Sequence, residues 1–140
     1  MANHGWRGRG QVQAARLAGG RIVVRFAKLW TQSGRLQRMA GDLFRKELSG
    51  LGPTYDPFDV SIWILQNGQT KRLDVDNVAK ACLDALTGVL WRDDSQVMRL
   101  EVQKLPDEQQ SIVLLAAPSC DDDRRTALED LLTSVDAADD

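Results

Sequence analysis

The alternation of hydrophobic and polar positions predicts seven regular elements along the chain. Strands are indicated by apolar residues at every second position or by short β-branched runs, and helices by apolar residues that recur every three to four positions. In chain order the predicted elements are a strand at 21–26, a helix at 33–51, a strand at 58–64, a helix at 77–89, strands at 96–105 and 111–117, and a helix at 124–135. The last two strands are expected to pair antiparallel through a turn at 106–108.

This order, β-α-β-α-β-β followed by a C-terminal helix, predicts an α/β (α+β) fold in which one small mixed sheet carries helices packed on it. A chain of 140 residues is long enough for one domain with modest appendages. We expect a flexible Gly/Arg-rich N-terminus at 1–19, a folded domain at 20–120, and an acidic tail with a short helix at 121–140.

Composition narrows the class of protein. Apolar residues make up 43% of the chain, which is enough for a core, and no apolar run approaches the ~18 residues that span a membrane. The start of the chain lacks the apolar stretch of a secretory signal. Cys82 and Cys120 lack metal-site spacing and His4 is the single histidine, so a His/Cys zinc site is excluded. We expect a cytoplasmic protein with no membrane partner and with Cys82 in the core.

The formal net charge of −2 conceals a strong asymmetry along the chain. Residues 121–140 contain eight acidic and two basic side chains, so they carry −6 and the other 120 residues carry +4. Within those, residues 1–72 carry +8 and residues 73–120 carry −4. A basic front of this kind indicates contact with a polyanion, and it says nothing about the fold.

The chemically richest segment is 74–94, which contains five aspartates and one lysine. If Asp74 to Asp76 is extended, the two side chains point the same way, about 6–7 Å apart at the Cα level, which is close enough to share a cation. Such a pair, with no histidine or cysteine nearby, offers only hard oxygen ligands, and these favour Mg²⁺ or Mn²⁺ over zinc.

The remaining acids of this segment surround the predicted helix. Asp76, Lys80 and Asp84 are spaced four residues apart and form one stripe of it. Asp93 and Asp94 follow in the loop where the chain returns toward the next strand, and that return could bring them beside the first pair. A metal held by these carboxylates suits phosphodiester hydrolysis, with Lys80 binding the scissile phosphate.

Each residue also has an ordinary structural interpretation. Asp76 precedes a helical run and could be its N-cap, Lys80 and Asp84 could be a surface ion pair, and Asp93–Asp94 could be turn residues. Trp91, beside the aspartate pair, is expected in the core or an interface more often than as a base-stacking platform. These interpretations are each adequate alone, but together they leave five acids around a mostly apolar helix unexplained.

The string LDVDNVAKACLDALTGVLWRDDSQV at 73–97 resembles the signature of RusA-type endodeoxyribonucleases, a family of Holliday-junction resolvases common in prophages. That family shows D-x-D-N-x-x-K, then D-A-L, an apolar-aromatic stretch, D-D and a β-branched position, all present here in order. The resemblance extends more weakly over about residues 20–117. It implies a small α/β homodimer that binds four-way DNA and cuts it symmetrically with Mg²⁺, in DNA recombination and repair.

By motif position, the resemblance implies that Asp74, Asp76 and Asp94 are the essential carboxylates, which bind the metal with support from Asp93. It implies that Lys80 is the essential lysine. Lys71 and Arg72 occupy the place of the family's basic residues ahead of the first aspartate, so the DNA-binding set becomes Lys71, Arg72 and Lys80.

Two alternatives remain open at the level of sequence. The family's Pro/Lys/Arg-rich opening segment is replaced here by a Gly/Arg-rich one, which motivates a branched-DNA-binding module that does not cleave. A nuclease for flaps or forks is the other alternative, because branch geometry is recognised by the shape of the whole dimer and leaves no local motif.

Overall fold

One five-stranded mixed sheet organises the chain in a computed structural model, which describes residues 5–27, 33–68, 73–120 and 122–138. The elements are β1 (Val12–Arg16), β2 (Ile22–Phe26), α1 (Ser33–Glu47), β3 (Phe58–Gln66), α2 (Val75–Leu86), β4 (Val97–Pro106), β5 (Ser111–Pro118) and α3 (Asp122–Ala138). The strand order is β1-β2-β5-β3-β4, and only β3 and β4 are parallel. The predicted α+β class with a single mixed sheet and a C-terminal helix is therefore confirmed.

The core lies between one face of the sheet and the helices α1 and α2. Alternate residues of β2, β3 and β5 are buried, as the period-two pattern of the sequence requires, while their neighbours on the other face are half-buried. Cys82 of α2 is completely buried, and burial raises the pKa of its thiol to about 12. The prediction of Cys82 as a small core residue is therefore confirmed. A buried thiol with a raised pKa is protonated at neutral pH and is not a nucleophile.

The predicted pairing of the last two strands is wrong. β4 pairs only with β3, and β5 lies on the opposite side of β3, so the two consecutive strands are not neighbours. The connection crosses the end of β3, where the Asp107 N–H donates to the carbonyl of Gln66 (3.1 Å) and Asn67 Nδ2 donates to the carbonyl of Glu108 (2.9 Å). Because β4 lies at the edge of the sheet, nearly all of its residues are exposed. The residues of β5 alternate between buried and half-buried, as in a central strand.

The N-terminal segment contains a strand that the sequence did not predict. β1 lies inside residues 1–19, and its partner in the sheet is β2, with Val12 opposite Phe26. Val12, Ala14 and Ala15 are buried. The prediction of a flexible segment is therefore wrong for this strand, because its small apolar residues are buried only once β2 offers an edge to pair with.

The helix predicted in the acidic tail is present and longer than expected, as α3. Its N-terminal part is joined to the sheet by an ion pair between Arg124 Nη1 and Asp59 Oδ1 at 3.4 Å. The four large apolar side chains of α3 remain half or more exposed, at Leu128, Leu131, Leu132 and Val135. No residue of α3 belongs to the hydrophobic core among the described residues. Over the same residues, no helix combines the length and apolar character needed to cross a membrane.

Candidate functional site

The connection β3-α2-β4 positions every predicted acidic residue of the site. Because β3 and β4 are parallel, the helix between them must return along the sheet, so α2 begins where β3 ends and finishes where β4 begins. Asp74 and Asp76 lie at the start of α2, whereas Asp93 and Asp94 lie between its end and β4. Twelve helical residues span about 18 Å, so the two aspartate pairs lie at opposite ends of α2.

The predicted meeting of these two pairs does not occur within one chain. Among residues 5–27, 33–68, 73–120 and 122–138, no three Asp, Glu, His or Cys side chains lie close enough to hold a metal ion together. The prediction that the two pairs meet is wrong because it treated the last two strands as a hairpin and did not fix the direction of α2 relative to β4. A parallel β3-β4 pair forces the separation.

The first aspartate pair sits on a helix start that differs from the predicted one. α2 begins at Val75, two residues before the predicted start, so Asp74 is the N-cap residue and Asp76 lies in the first turn. The 74–76 segment is therefore not extended throughout, so the strand spacing expected for its two carboxylates does not apply. The Asp74 side chain caps no backbone N–H; its Oδ2 accepts a hydrogen bond from Asn77 Nδ2 at 3.3 Å.

The N-cap interpretation of Asp76 is wrong, and its carboxylate is exposed. The first turn of a helix presents unpaired backbone N–H groups, so a negative charge is favourable there. Lys80 follows one turn later and is exposed as well, so Asp76 and Lys80 lie on one stripe as predicted. The ion pair considered between Lys80 and Asp84 is absent from the salt bridges of the described residues.

The second aspartate pair is folded back onto the end of α2. Gly88, with φ +82°, turns the chain out of the helix, and its N–H donates to the carbonyl of Trp91 at 2.7 Å. Asp93 then caps a short turn at Asp94–Gln96: Asp93 Oδ2 accepts the Ser95 N–H at 3.0 Å. Hydrogen bonds from the Ser95 side chain and backbone lower the pKa of Asp93.

An opening at the end of α2 gathers three of the five aspartates. It is lined by Gly34, Gln37, Asp84, Thr87, Asp93 and Asp94. Asp84, which the sequence analysis weighed as a surface residue, thus lies with the second pair. Its partly buried position at the end of α2 follows from the fold of the 87–91 loop, which no pattern in the sequence indicates.

A basic surface of α1 borders this acidic opening. Arg38 and Arg45 line a neighbouring opening that shares Gln37 and Thr87 with the acidic one. Arg45 pairs with Asp42, whereas Arg38 is exposed and has no ion-pair partner among the described residues. Both arginines belong to the basic segment 1–72, but neither was predicted as a DNA-binding residue.

Two of the predicted DNA-binding residues, Lys71 and Arg72, lie outside the described residues. Trp91 has no exposed surface; its indole N–H donates to Thr87 Oγ1 (3.3 Å) and its ring packs at 60° to Phe58, with centroids 5.5 Å apart. It is therefore a core residue, in agreement with the more common of its two interpretations. Gln96 was not predicted as a site residue, although its position two residues after the aspartate pair could have indicated it.

The helix α2 thus has carboxylates at its start, a lysine one turn further on and a second carboxylate pair at its end. These are the residue types that metal-assisted phosphodiester hydrolysis uses. Residues 55–114 match the family model described as endodeoxyribonuclease RusA. The resemblance seen in the motif is thus confirmed over β3, α2, β4 and the first half of β5. The description of that family names an endodeoxyribonuclease. No curated protein matches the chain.

Proposed function

We propose that the protein is an Mg²⁺-dependent endodeoxyribonuclease that resolves four-way DNA junctions by paired phosphodiester hydrolysis, in DNA recombination and repair. The observation that carries the proposal is the complete D-x-D-N-x-x-K…D-D set on one βαβ unit inside the matched segment. Its charged members are all exposed to solvent: Asp74, Asp76, Lys80, Asp93 and Asp94. An exposed acid set beside basic surface is what a DNA-cleaving site requires, because DNA must reach it.

The donor set fits Mg²⁺, with Mn²⁺ as a substitute. Mg²⁺ is commonly held by one or two carboxylates, with water and substrate phosphate oxygens as the remaining ligands, so one aspartate pair offers a sufficient protein contribution. Asp74 with Asp76, and Asp93 with Asp94, are the residues that would hold it. The bound metal would activate water and stabilise charge on the oxygens of the scissile phosphate.

The side chains divide the remaining work by charge. The Lys80 ammonium lies one helical turn from Asp76 and would bind a non-bridging phosphate oxygen, which neutralises charge that develops as the phosphodiester is attacked. With no histidine in the described residues, this scheme places no proton transfer on a side-chain imidazole. Lys71 and Arg72 are proposed, with Lys80, to bind the DNA backbone.

A homodimer is part of the proposal, since symmetrical cutting of a four-way junction needs two sites related by a two-fold axis. The separation of the two aspartate pairs in one chain supports it. A second copy could offer its Asp93–Asp94 pair to the Asp74–Asp76 pair of the first, which a single chain cannot do across the length of α2.

Cleavage of a panel of DNA substrates tests the proposal. The full chain is incubated with duplex, flap, fork and four-way junction, with and without Mg²⁺, and its oligomeric state is measured by sedimentation. We expect Mg²⁺-dependent, symmetrical cuts in the junction by a dimer. Preferential cutting of flaps or forks would support the alternative substrate, and salt-dependent junction binding without cleavage at any Mg²⁺ or Mn²⁺ level would support a non-cleaving module.

Arg38, which lines the basic opening and has no ion-pair partner among the described residues, leads to a prediction about DNA binding. Arg38→Ala is expected to weaken junction binding a few-fold and to lower the salt dependence of the affinity by about one unit of slope, because one phosphate contact is lost. Fluorescence anisotropy across a salt series measures both quantities. The matched control is Arg125→Ala on α3, an exposed arginine outside the two openings. Equal slopes for wild type and Arg38→Ala would contradict the contact.

A further inference from the structure

The side chain of Gln96 makes four hydrogen bonds that join two separate segments of the chain. Its Oε1 accepts the backbone N–H groups of Arg92 (2.9 Å) and Asp93 (3.0 Å). Its Nε2 donates to the carbonyl oxygens of Thr54 and Asp56, both at 2.9 Å. One half-buried amide therefore uses its full hydrogen-bonding capacity, two lone pairs and two N–H groups, and we call this arrangement the Gln96 clamp.

The clamp fixes the backbone of the second aspartate pair. Two of its hydrogen bonds end on the residue before the pair and on Asp93 itself, and the Gln96 N–H also donates to the carbonyl of Asp93 at 3.1 Å. The Asp93 and Asp94 side chains are both exposed: the Asp93 carboxylate accepts hydrogen bonds only from its own turn, from Ser95 and the Gln96 backbone, and the Asp94 carboxylate makes no hydrogen bond to the described residues. The backbone of this turn therefore determines where the carboxylates point.

The other end of the clamp is anchored to the body of the protein. The Thr54 N–H donates to the carbonyl of Leu90 at 3.0 Å, and Leu90 is completely buried. The clamped carbonyls flank Tyr55, which is 78% exposed and whose ring lies 4.7 Å from the guanidinium carbon of Arg92. The clamp thus fixes Tyr55, Arg92 and the aspartates as one unit at the end of α2.

We propose that Gln96 is a positioning residue for the Asp93–Asp94 carboxylates: through the Gln96 clamp it sets the orientation in which they bind the divalent metal ion. This inference rests on the proposed nuclease function. No other side chain of this length both donates twice and accepts twice, so the role is specific to glutamine. A displacement of about 1 Å at reacting groups lowers a rate by as much as a hundredfold, which is the scale on which positioning matters.

The test compares Gln96→Met with Gln103→Met in the full chain. Methionine keeps the length of the side chain and removes all four hydrogen bonds, and Gln103 is an exposed glutamine of β4 that controls for the substitution itself. For Gln96→Met we expect kcat on a four-way junction to fall about tenfold or more with KM unchanged. With kcat expressed per folded protein, loss of kcat at constant KM is the signature of an interaction needed in the transition state, which a loss of DNA affinity does not produce.

Two measurements without DNA accompany the kinetics. Mn²⁺ titration followed by electron paramagnetic resonance is expected to show half-saturation at a several-fold higher concentration in Gln96→Met than in wild type. Amide hydrogen exchange of Arg92 and Asp93 is expected to be about tenfold faster, because their N–H groups have lost their acceptor. If Gln96→Met does not fold, Gln96→Glu decides, since it keeps the acceptor for the two N–H groups but opposes an oxygen to the carbonyls of Thr54 and Asp56.

The outcomes separate this inference from the proposed function. If wild type cleaves, Asp94→Asn does not, and the Gln96 variants retain wild-type kcat and Mn²⁺ affinity, the positioning role is overturned and the nuclease function stands. A raised KM at constant kcat would also overturn it, because it would make Gln96 part of DNA binding. If wild type cleaves no DNA at all, the proposed function fails and this inference fails with it, whatever the exchange rates show.

Discussion

Asp76→Asn is expected to lower Mg²⁺-dependent cleavage of a four-way junction about a thousandfold and to leave the fold unchanged. The carboxylate is exposed in the first turn of α2 and makes no hydrogen bond to the described residues, so its loss removes no packing. Loss of a charged metal ligand removes several kcal/mol of transition-state stabilisation, and each 1.36 kcal/mol corresponds to a tenfold rate change. Single-turnover cleavage of a labelled junction measures the effect.

The matched control is Asp136→Asn, an exposed helical aspartate of α3 outside the matched segment. It is expected to cleave like wild type. Full Mg²⁺-dependent cleavage by Asp76→Asn, in protein with wild-type thermal unfolding, would exclude the assignment of this carboxylate to the metal site.

Mixing two inactive variants tells whether the site is shared between copies. If each site is shared between two copies, a mixed dimer of Asp76→Asn and Asp94→Asn has both substitutions in one site and an intact second site. Half of the dimers in an equal mixture are mixed, so about a quarter of all sites would be active. Such a dimer would nick one strand of the junction without paired cutting. If each site is built within a single chain, every site carries one substitution and the mixture remains inactive.

Trp91→Ala is expected to lower the free energy of unfolding by about 3–5 kcal/mol, the range for removing a large aromatic side chain from a core. Trp91 has no exposed surface, contacts Phe58 and donates to Thr87 Oγ1, and its loss would leave a cavity under the loop that carries Asp93 and Asp94. Urea unfolding followed by circular dichroism measures the change. Cleavage is expected to fall in parallel with the folded fraction.

Leu132→Ala on α3 is the control for this prediction, because Leu132 is 54% exposed and its truncation should change stability by less than about 0.5 kcal/mol. Trp91→Phe, which keeps most of the ring, should unfold between wild type and Trp91→Ala. A Trp91→Ala variant with wild-type unfolding but no cleavage would instead make Trp91 a DNA-contacting residue, contrary to its burial.

The identity of the acidic residues could be recognised in the sequence because the chemistry depends on residue type and local spacing. The stripe of Asp76 and Lys80 needs only the helical repeat to be predicted, and the structure has both on the exposed side of α2. The start of α2 was missed by two residues, because Asp74 and Asp76 are both residues that favour the N-cap position and the pattern does not tell which of them takes it.

The arrangement of the pairs could not be predicted in this way. Whether Asp93 and Asp94 lie beside Asp74 depends on whether β4 pairs with β5 or with β3, and both pairings satisfy the same apolar pattern. The tight turn after Pro106 favoured a hairpin, but the burial gained by placing β3 between β5 and β4 decided otherwise. The Gln96 clamp was equally hidden, since it joins residues 40 and 42 positions apart along the chain.

Local periodicity, residue chemistry and the D-x-D-N-x-x-K…D-D motif were thus sufficient for the fold class, the core of α2 and the resemblance of residues 55–114 to a nuclease family. Only the tertiary structure decided that β1 joins the sheet, that β3 separates β4 from β5, and that the two aspartate pairs lie at opposite ends of α2. The physical reason is the range of the interactions. Helical stripes and motifs are determined by neighbours a few residues apart, whereas strand order is determined by burial over the whole sheet.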